Sequence, residues 1–226
     1  MTLHTKLQAK HPLPAEALAT PPLICLTGID GCGKSTHLKK LSDRLFEQLG
    51  KRPPILSVWD ISRLTRYHTH PFITDREALY QYLGSLHGGA RALFILHALR
   101  ESLDSILDTN PRLVLVDGYW YKYLLTEILH DDGLEWLLQT TAGFPRPVGT
   151  VLLDLSGDTS LKRKPSLTPY ECGFAKPGPA TFVPFQNRLR SSLLDMARQE
   201  HWPVVDVDRP EFAVAEQIWN HVEKWL

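Results

Sequence analysis

Eight residues, Gly28-Ile29-Asp30-Gly31-Cys32-Gly33-Lys34-Ser35, constrain this chain more than any other stretch. They fit the pattern G-x-x-x-x-G-K-[ST], in which a glycine-rich turn offers backbone N–H groups to phosphate oxygens. Such a loop needs a strand before it and a helix after it, because the amides and the helix dipole together hold the anion. The flanks comply. "LICLTG" (23–28) is a short apolar run, and from Lys34 onward Leu38, Leu41, Leu45 and Leu49 recur three or four residues apart until Gly50. A phosphate loop makes Lys34 the residue that spans the β- and γ-phosphates and Ser35 the hydroxyl ligand of Mg²⁺.

Further apolar runs at 54–60, 111–119, 148–156 and 202–208 alternate with helical text at 75–107 (broken at Gly88-Gly89), 121–138, 181–199 and 211–226. Strands too apolar to face water on either side imply a parallel sheet covered on both faces. The expectation is one α/β domain over 22–226, a P-loop three-layer sandwich with a five-stranded parallel sheet. Residues 1–21 read as a flexible leader, four prolines falling between Pro12 and Pro22 where it meets the first strand. Asp117 closes the clearest strand, where an open α/β sheet presents its ligand crevice. It is placed to hold Mg²⁺ or to cap the following helix, and the two roles are compatible.

Lys plus Arg and Asp plus Glu balance at 25 each, so no net field recruits nucleic acid or an anionic membrane. No apolar stretch approaches the roughly 18 residues that span a bilayer. The three cysteines, Cys25, Cys32 and Cys172, form neither a metal spacing nor an even disulfide set, which points to a reducing, cytoplasmic setting. No Asn/Thr-Lys-x-Asp segment follows a strand, so a guanine-reading switch is not indicated. Instead "LKRKPSLTPYECGFAKPGP" (161–179), basic and irregular between a strand and a helix, suits the lid of a small-molecule kinase, over about 162–180, or else a plain surface loop.

At this point the residues resemble a family. "GIDGCGKSTHLKKL" is similar to the thymidylate kinase phosphate loop, G-x-D-G-x-G-K-[ST]-T, with Asp30 and Thr36 on positions that a generic loop leaves open. "VLVDGYW" stands where that family has Asp-Arg-Tyr. "VLLDLSGDTSLKR" and "PFQNRLRSSLLDMA" resemble the segments before and after its lid. The resemblance spans about 22–226 and implies ATP, Mg²⁺ and a nucleoside monophosphate acceptor, thymidylate (dTMP) by default. It implies donor contacts from Gly28, Asp30, Gly31, Cys32, Gly33, Lys34, Ser35 and Thr36, with Ser35 and Asp117 on the metal. Asp30 would meet the acceptor sugar. Because Cys32 stands where some members carry a loop arginine, a lid cation is implied; Arg163 is the candidate, beside Lys162 and Lys164. Members of the family are commonly homodimers, although no interface is legible here.

Departures gather on the acceptor side. Asp117-Gly118-Tyr119 lacks the arginine that grips the acceptor phosphate, a loss worth roughly 2–5 kcal/mol if uncompensated. Lys122, one helical turn on, is either its replacement or a surface lysine. Arg100 matches the base-reading arginine of "FILHALRE", but the position four residues earlier is Leu96 instead of the stacking aromatic. "VWDISR" replaces a Glu-Pro-Gly segment and leaves Asp60 and Arg63 as acceptor contacts, with Tyr119, and with Glu171 in the lid. The leading expectation is an ATP-dependent dTMP kinase. A kinase of another small metabolite, or a non-catalytic ATP-binding relative, are the alternatives.

Overall fold

In the computed structural model, which describes residues 20–64 and 76–226, every residue of the first strand, β1 (Leu23–Thr27), is buried. Burial on both faces requires layers above and below. β1 pairs with β3 (Val114–Asp117) on one side and β4 (Gly149–Asp154) on the other; β2 (Ile55–Leu56) and β5 (Val204–Asp206) are the edges. All four pairings are parallel, giving a five-stranded sheet in the order β2-β3-β1-β4-β5. The expected helix-covered α/β sandwich is the fold.

The helices are α1 (Lys34–Leu49), α2 (Arg76–Ser85), α3 (Gly88–Leu107), α4 (Tyr119–His130), α5 (Leu137–Thr140), α6 (Gly157–Arg163), α7 (Pro179–Glu200) and α8 (Glu211–Val222). α1 and α8 pack together, with Arg44 lying 4.2 Å over the Trp219 ring. α3 packs on α4 and α4 on α7. The core runs through Leu26, Leu38, Leu115, Leu152, Leu189 and Leu193. The expected leader, apart from its last two residues, lies outside the described residues. Among the described residues no helix is long and apolar enough to cross a membrane.

Three local features differ from the sequence reading. The strand expected over 54–60 stops at Leu56, because Ser57 caps a 3₁₀ turn over Val58–Arg63. Ser57 Oγ accepts from Trp59 N at 3.4 Å, and Asp60 Oδ2 accepts from Ser57 N at 2.9 Å, a reciprocal capping box. The helix expected over 121–138 begins two residues earlier and breaks after His130 at Asp131-Asp132-Gly133. Finally, Leu161, Lys162 and Arg163 belong to α6, not to irregular chain; Ser156 caps that helix by accepting from Thr159 N at 3.2 Å.

Candidate active site

The order of the strands places the site. β1 and β3 are neighbours in register, Leu26 opposite Asp117, so the loop after one and the carboxylate ending the other emerge side by side. Gly118 N donates to Leu26 O at 2.9 Å, and Thr27 Oγ1 to Gly118 O at 3.2 Å, fixing the two exits together. The loop after β1 is tightly cradled. A Cβ on Gly28 (φ 149°) would lie 2.6 Å from Leu153 O, and one on Gly31 (φ 75°) 2.6 Å from Ser160 Oγ. Neither position has room for a side chain, and both backbones favour glycine.

Lys34 opens α1, and its Nζ donates to Gly28 O at 3.1 Å and Ile29 O at 2.8 Å, so its charge stands over the loop. Ser35 Oγ donates to Asp117 Oδ2 at 3.2 Å. The N-cap of α4 is Gly118, which leaves the Asp117 carboxylate facing Ser35 instead of capping the helix. A hydroxyl and a carboxylate converging beside a phosphate loop form an oxygen donor set of the kind Mg²⁺ takes, with phosphates and water completing its shell.

Asp30 is the hub of a polar network beside the phosphate loop. Lys122 Nζ donates to its Oδ1, and both side chains are largely buried, 7% and 16% exposed. Gln186, fully buried on α7, accepts from Asp30 N at 3.1 Å and donates from Nε2 to Asp30 Oδ2 at 3.4 Å and Glu171 O at 3.0 Å. Ser160 Oγ donates to Asp30 O. Burial alone would raise the Asp30 carboxyl, but the charges of Lys122 and then Lys34 outweigh it and hold Asp30 below the usual carboxylate range. Lys122 is correspondingly pushed up: Asp30 more than offsets the loss of hydration.

Asp30, Lys34, Ser35, Asp117, Lys122 and Glu171 line one cavity of about 950 Å³. It passes Asp30, Gly31, Cys32, Gly33, Lys34, Ser35 and Thr36 at the centre of the sheet, with Asp117 and Lys122 beside them. Toward the β2 edge it is walled by Ile55, Trp59, Asp60, Arg63 and Tyr80; toward the β5 edge by Arg163, Val207, Arg209 and Glu211. Glu171 closes it from the lid, pairing with Lys164 Nζ at 2.6 Å and accepting from Thr168 N at 3.0 Å.

Two expected residues are not brought to the site. Arg100 is half exposed on the outer side of α3, paired with Asp104 at 2.8 Å and donating to Gly143 O at 2.9 Å. It follows Leu99, whose side chain is wholly buried, and so falls just past the inward stripe of the helix. Tyr119 is fully buried, its Oη donating to Pro145 O at 2.7 Å. Consecutive positive φ angles at Gly118 (76°) and Tyr119 (52°) turn its ring into the core, against Tyr121 and Phe144. Arg163 does line the cavity, but its Nη2 donates to Val207 O at 2.9 Å at the β5 edge. In the segment expected to be the lid, the cation against the phosphate loop is Lys164, whose Cγ a Cβ on Gly31 would approach to 3.1 Å.

Trp59, Tyr80, Tyr123, Ser160 and Gln186 join the site without being expected from the sequence. A glutamine amid the apolar stripe of α7 was the available signal for Gln186; nothing local marks the others. The segment expected to be the lid is seated on an aromatic cluster. His130, at the end of α4, stacks on Phe185 (4.8 Å, 22°) and touches Phe174 and Tyr170 at 4.6 and 4.9 Å. Arg91 lies 4.3 Å over Phe174 and donates to Glu127 Oε2 at 2.8 Å, both charges buried. Burial, assisted by Arg91, lowers His130 to about 3, and burial lifts Glu127 to about 6 against the pull of Arg91.

No protein-family profile matches the chain. Individual proteins do. A protein named "Thymidylate kinase" from Syntrophotalea carbinolica is 32% identical over 213 residues, covering 87% of this chain and 92% of its own length. A "Probable thymidylate kinase" from Methanosphaera stadtmanae is 23% identical over 206 residues, covering 90% and 98%. Among solved structures, the thymidylate kinase of Candida albicans superposes with a TM-score of 0.65 at 20% identity, covering 91% of this chain and 92% of that one, a likeness of fold. With its phosphate loop, its sheet order and a relative 32% identical along nearly its whole length, the chain belongs to the thymidylate kinase family.

Proposed function

We propose that this chain transfers the γ-phosphoryl group of ATP to the 5′-phosphate of thymidylate, giving ADP and dTDP. The observation that carries the reading is the single cavity joining the phosphate loop and Lys34 to the Lys122–Asp30 pair. Donor and acceptor phosphates can meet there, between the two edges of the sheet. The names carried by the relatives point the same way.

The chemistry asked of the side chains is mainly positioning and charge neutralisation. The loop amides and Lys34 hold the donor phosphates. Ser35 and Asp117 would hold Mg²⁺, which when bound would neutralise charge on the donor oxygens. Lys122 takes over the acceptor phosphate from the arginine missing at Gly118: an ammonium has three donors, and one bond to Asp30 leaves two. Asp30 stays ionised, fixes Lys122 and faces the acceptor sugar. Lys164 is the lid cation nearest the transferred group, while Arg163 belongs to the donor-base end. No side-chain base is required, because a phosphate monoester oxygen is already ionised at neutral pH.

A coupled ADP-release assay with ATP, Mg²⁺ and dTMP tests the reading, run beside Lys164→Ala and Arg163→Ala. The expected result is turnover well above the dTMP-free rate, a drop in kcat of about a hundred-fold for Lys164→Ala, and a raised ATP KM for Arg163→Ala. ADP release independent of dTMP and of every other nucleoside monophosphate would contradict it.

A further inference from the structure

The β2 side of the cavity has a wall that the family pattern does not foresee. Trp59 stands half-buried on the 3₁₀ turn 58–63 and lines the cavity beside Ile55, Ser62 and Tyr80. Its ring is braced by two phenols: Tyr80 at 5.1 Å and 64°, Tyr123 at 5.8 Å and 90°. Its backbone is pinned by the Ser57–Asp60 capping box. The other side of the turn, Val58 and Ile61, has no exposed surface, and the turn packs along α3. Among the described residues, none of α3 lines the cavity; Leu96 is buried and Arg100 is engaged elsewhere. The turn is therefore interposed between α3 and the acceptor space.

We propose that Trp59 is the platform on which the acceptor's base stacks, displacing α3 from that task. This rests on the phosphotransfer reading above. A braced indole offers a flat apolar face at little ordering cost, and such stacking is tolerant of base identity because every base has a π-face. Lys122 and Asp30 would then fix the phosphate and sugar, and Trp59 the base, all three within one cavity.

The test is steady-state kinetics on the full chain with Trp59→Leu, Trp59→Phe and Arg100→Ala, using dTMP, dUMP and dCMP. The inhibition constant of 2-deoxyribose 5-phosphate, which has no base, is measured in parallel. Trp59→Leu should raise the acceptor KM about ten-fold or more for all three nucleotides, with kcat little changed. Trp59→Phe should stay within about three-fold of the native enzyme, since it retains a π-face. Arg100→Ala should leave KM unmoved, and the sugar phosphate should bind every variant alike. Three results would overturn the proposal: native KM in Trp59→Leu, a parallel loss of sugar-phosphate binding in that variant, or a larger KM effect from Arg100→Ala. A native enzyme that phosphorylates no nucleoside monophosphate would instead refute the underlying reading, so the two failures are distinct.

Discussion

On the proposed reading, the Lys122–Asp30 pair is how one substitution is absorbed. Where the resemblance calls for an arginine at 118 this chain has glycine, and the α4 backbone carries a lysine back to the same pocket one turn later. A buried pair is costly to break by halves, since the remaining charge is stranded in a poorly hydrated place. Lys122→Met should therefore destabilise the protein by about 3 kcal/mol in urea unfolding at neutral pH. Asp30→Asn combined with Lys122→Met should recover part of that loss, because no charge is left unpaired. A single variant as stable as the native protein would show that the pair is solvated and energetically idle. Lys122 could be proposed from its spacing; Gln186 stands out in the sequence only as a polar residue amid an apolar stripe, and its partners, 15 and 156 residues away, are not legible there.

At the scale of elements, the donor side was legible because its grammar is local. β1, the loop and α1 are contiguous, and each announces itself by apolar run, glycine spacing or 3.6-residue period. β2, the 3₁₀ turn and the lid were not legible in the same way. β2 is cut short by a capping box within four residues, and α6 is too short to display an amphipathic period. The lid's hold on α4 depends on aromatic residues that meet only after folding. That hold carries a pH signature. His130 is depressed to about 3, so the unfolded chain binds a proton that the folded chain refuses as pH falls below 6.5. Glu127, raised to about 6, acts oppositely: its contribution is full below 4.5 and is lost as pH rises through 6. His130→Phe should remove the histidine's share, about 2 kcal/mol between pH 6.5 and 5, and flatten the acid side of the stability curve. Unfolding midpoints with the same pH slope in native and variant protein would mean that His130 is hydrated.

Across the whole molecule the sheet order separates two tasks. The phosphate loop sits on the central strand, β1, with the β5 edge on one side and the β2 edge on the other. The half around the phosphate loop keeps the family pattern, and on the proposed reading the acceptor half is rebuilt around Lys122, Gln186 and Trp59. Under that proposal the departures at Gly118 and Leu96 are answered by other elements rather than left as gaps. The most direct test of this account is transfer of label from [γ-³²P]ATP, with Mg²⁺, to dTMP, with the products separated by chromatography. The account predicts labelled dTDP from the native chain and its near absence in Lys34→Met. Label appearing only as inorganic phosphate, at the same rate with and without dTMP, would contradict it.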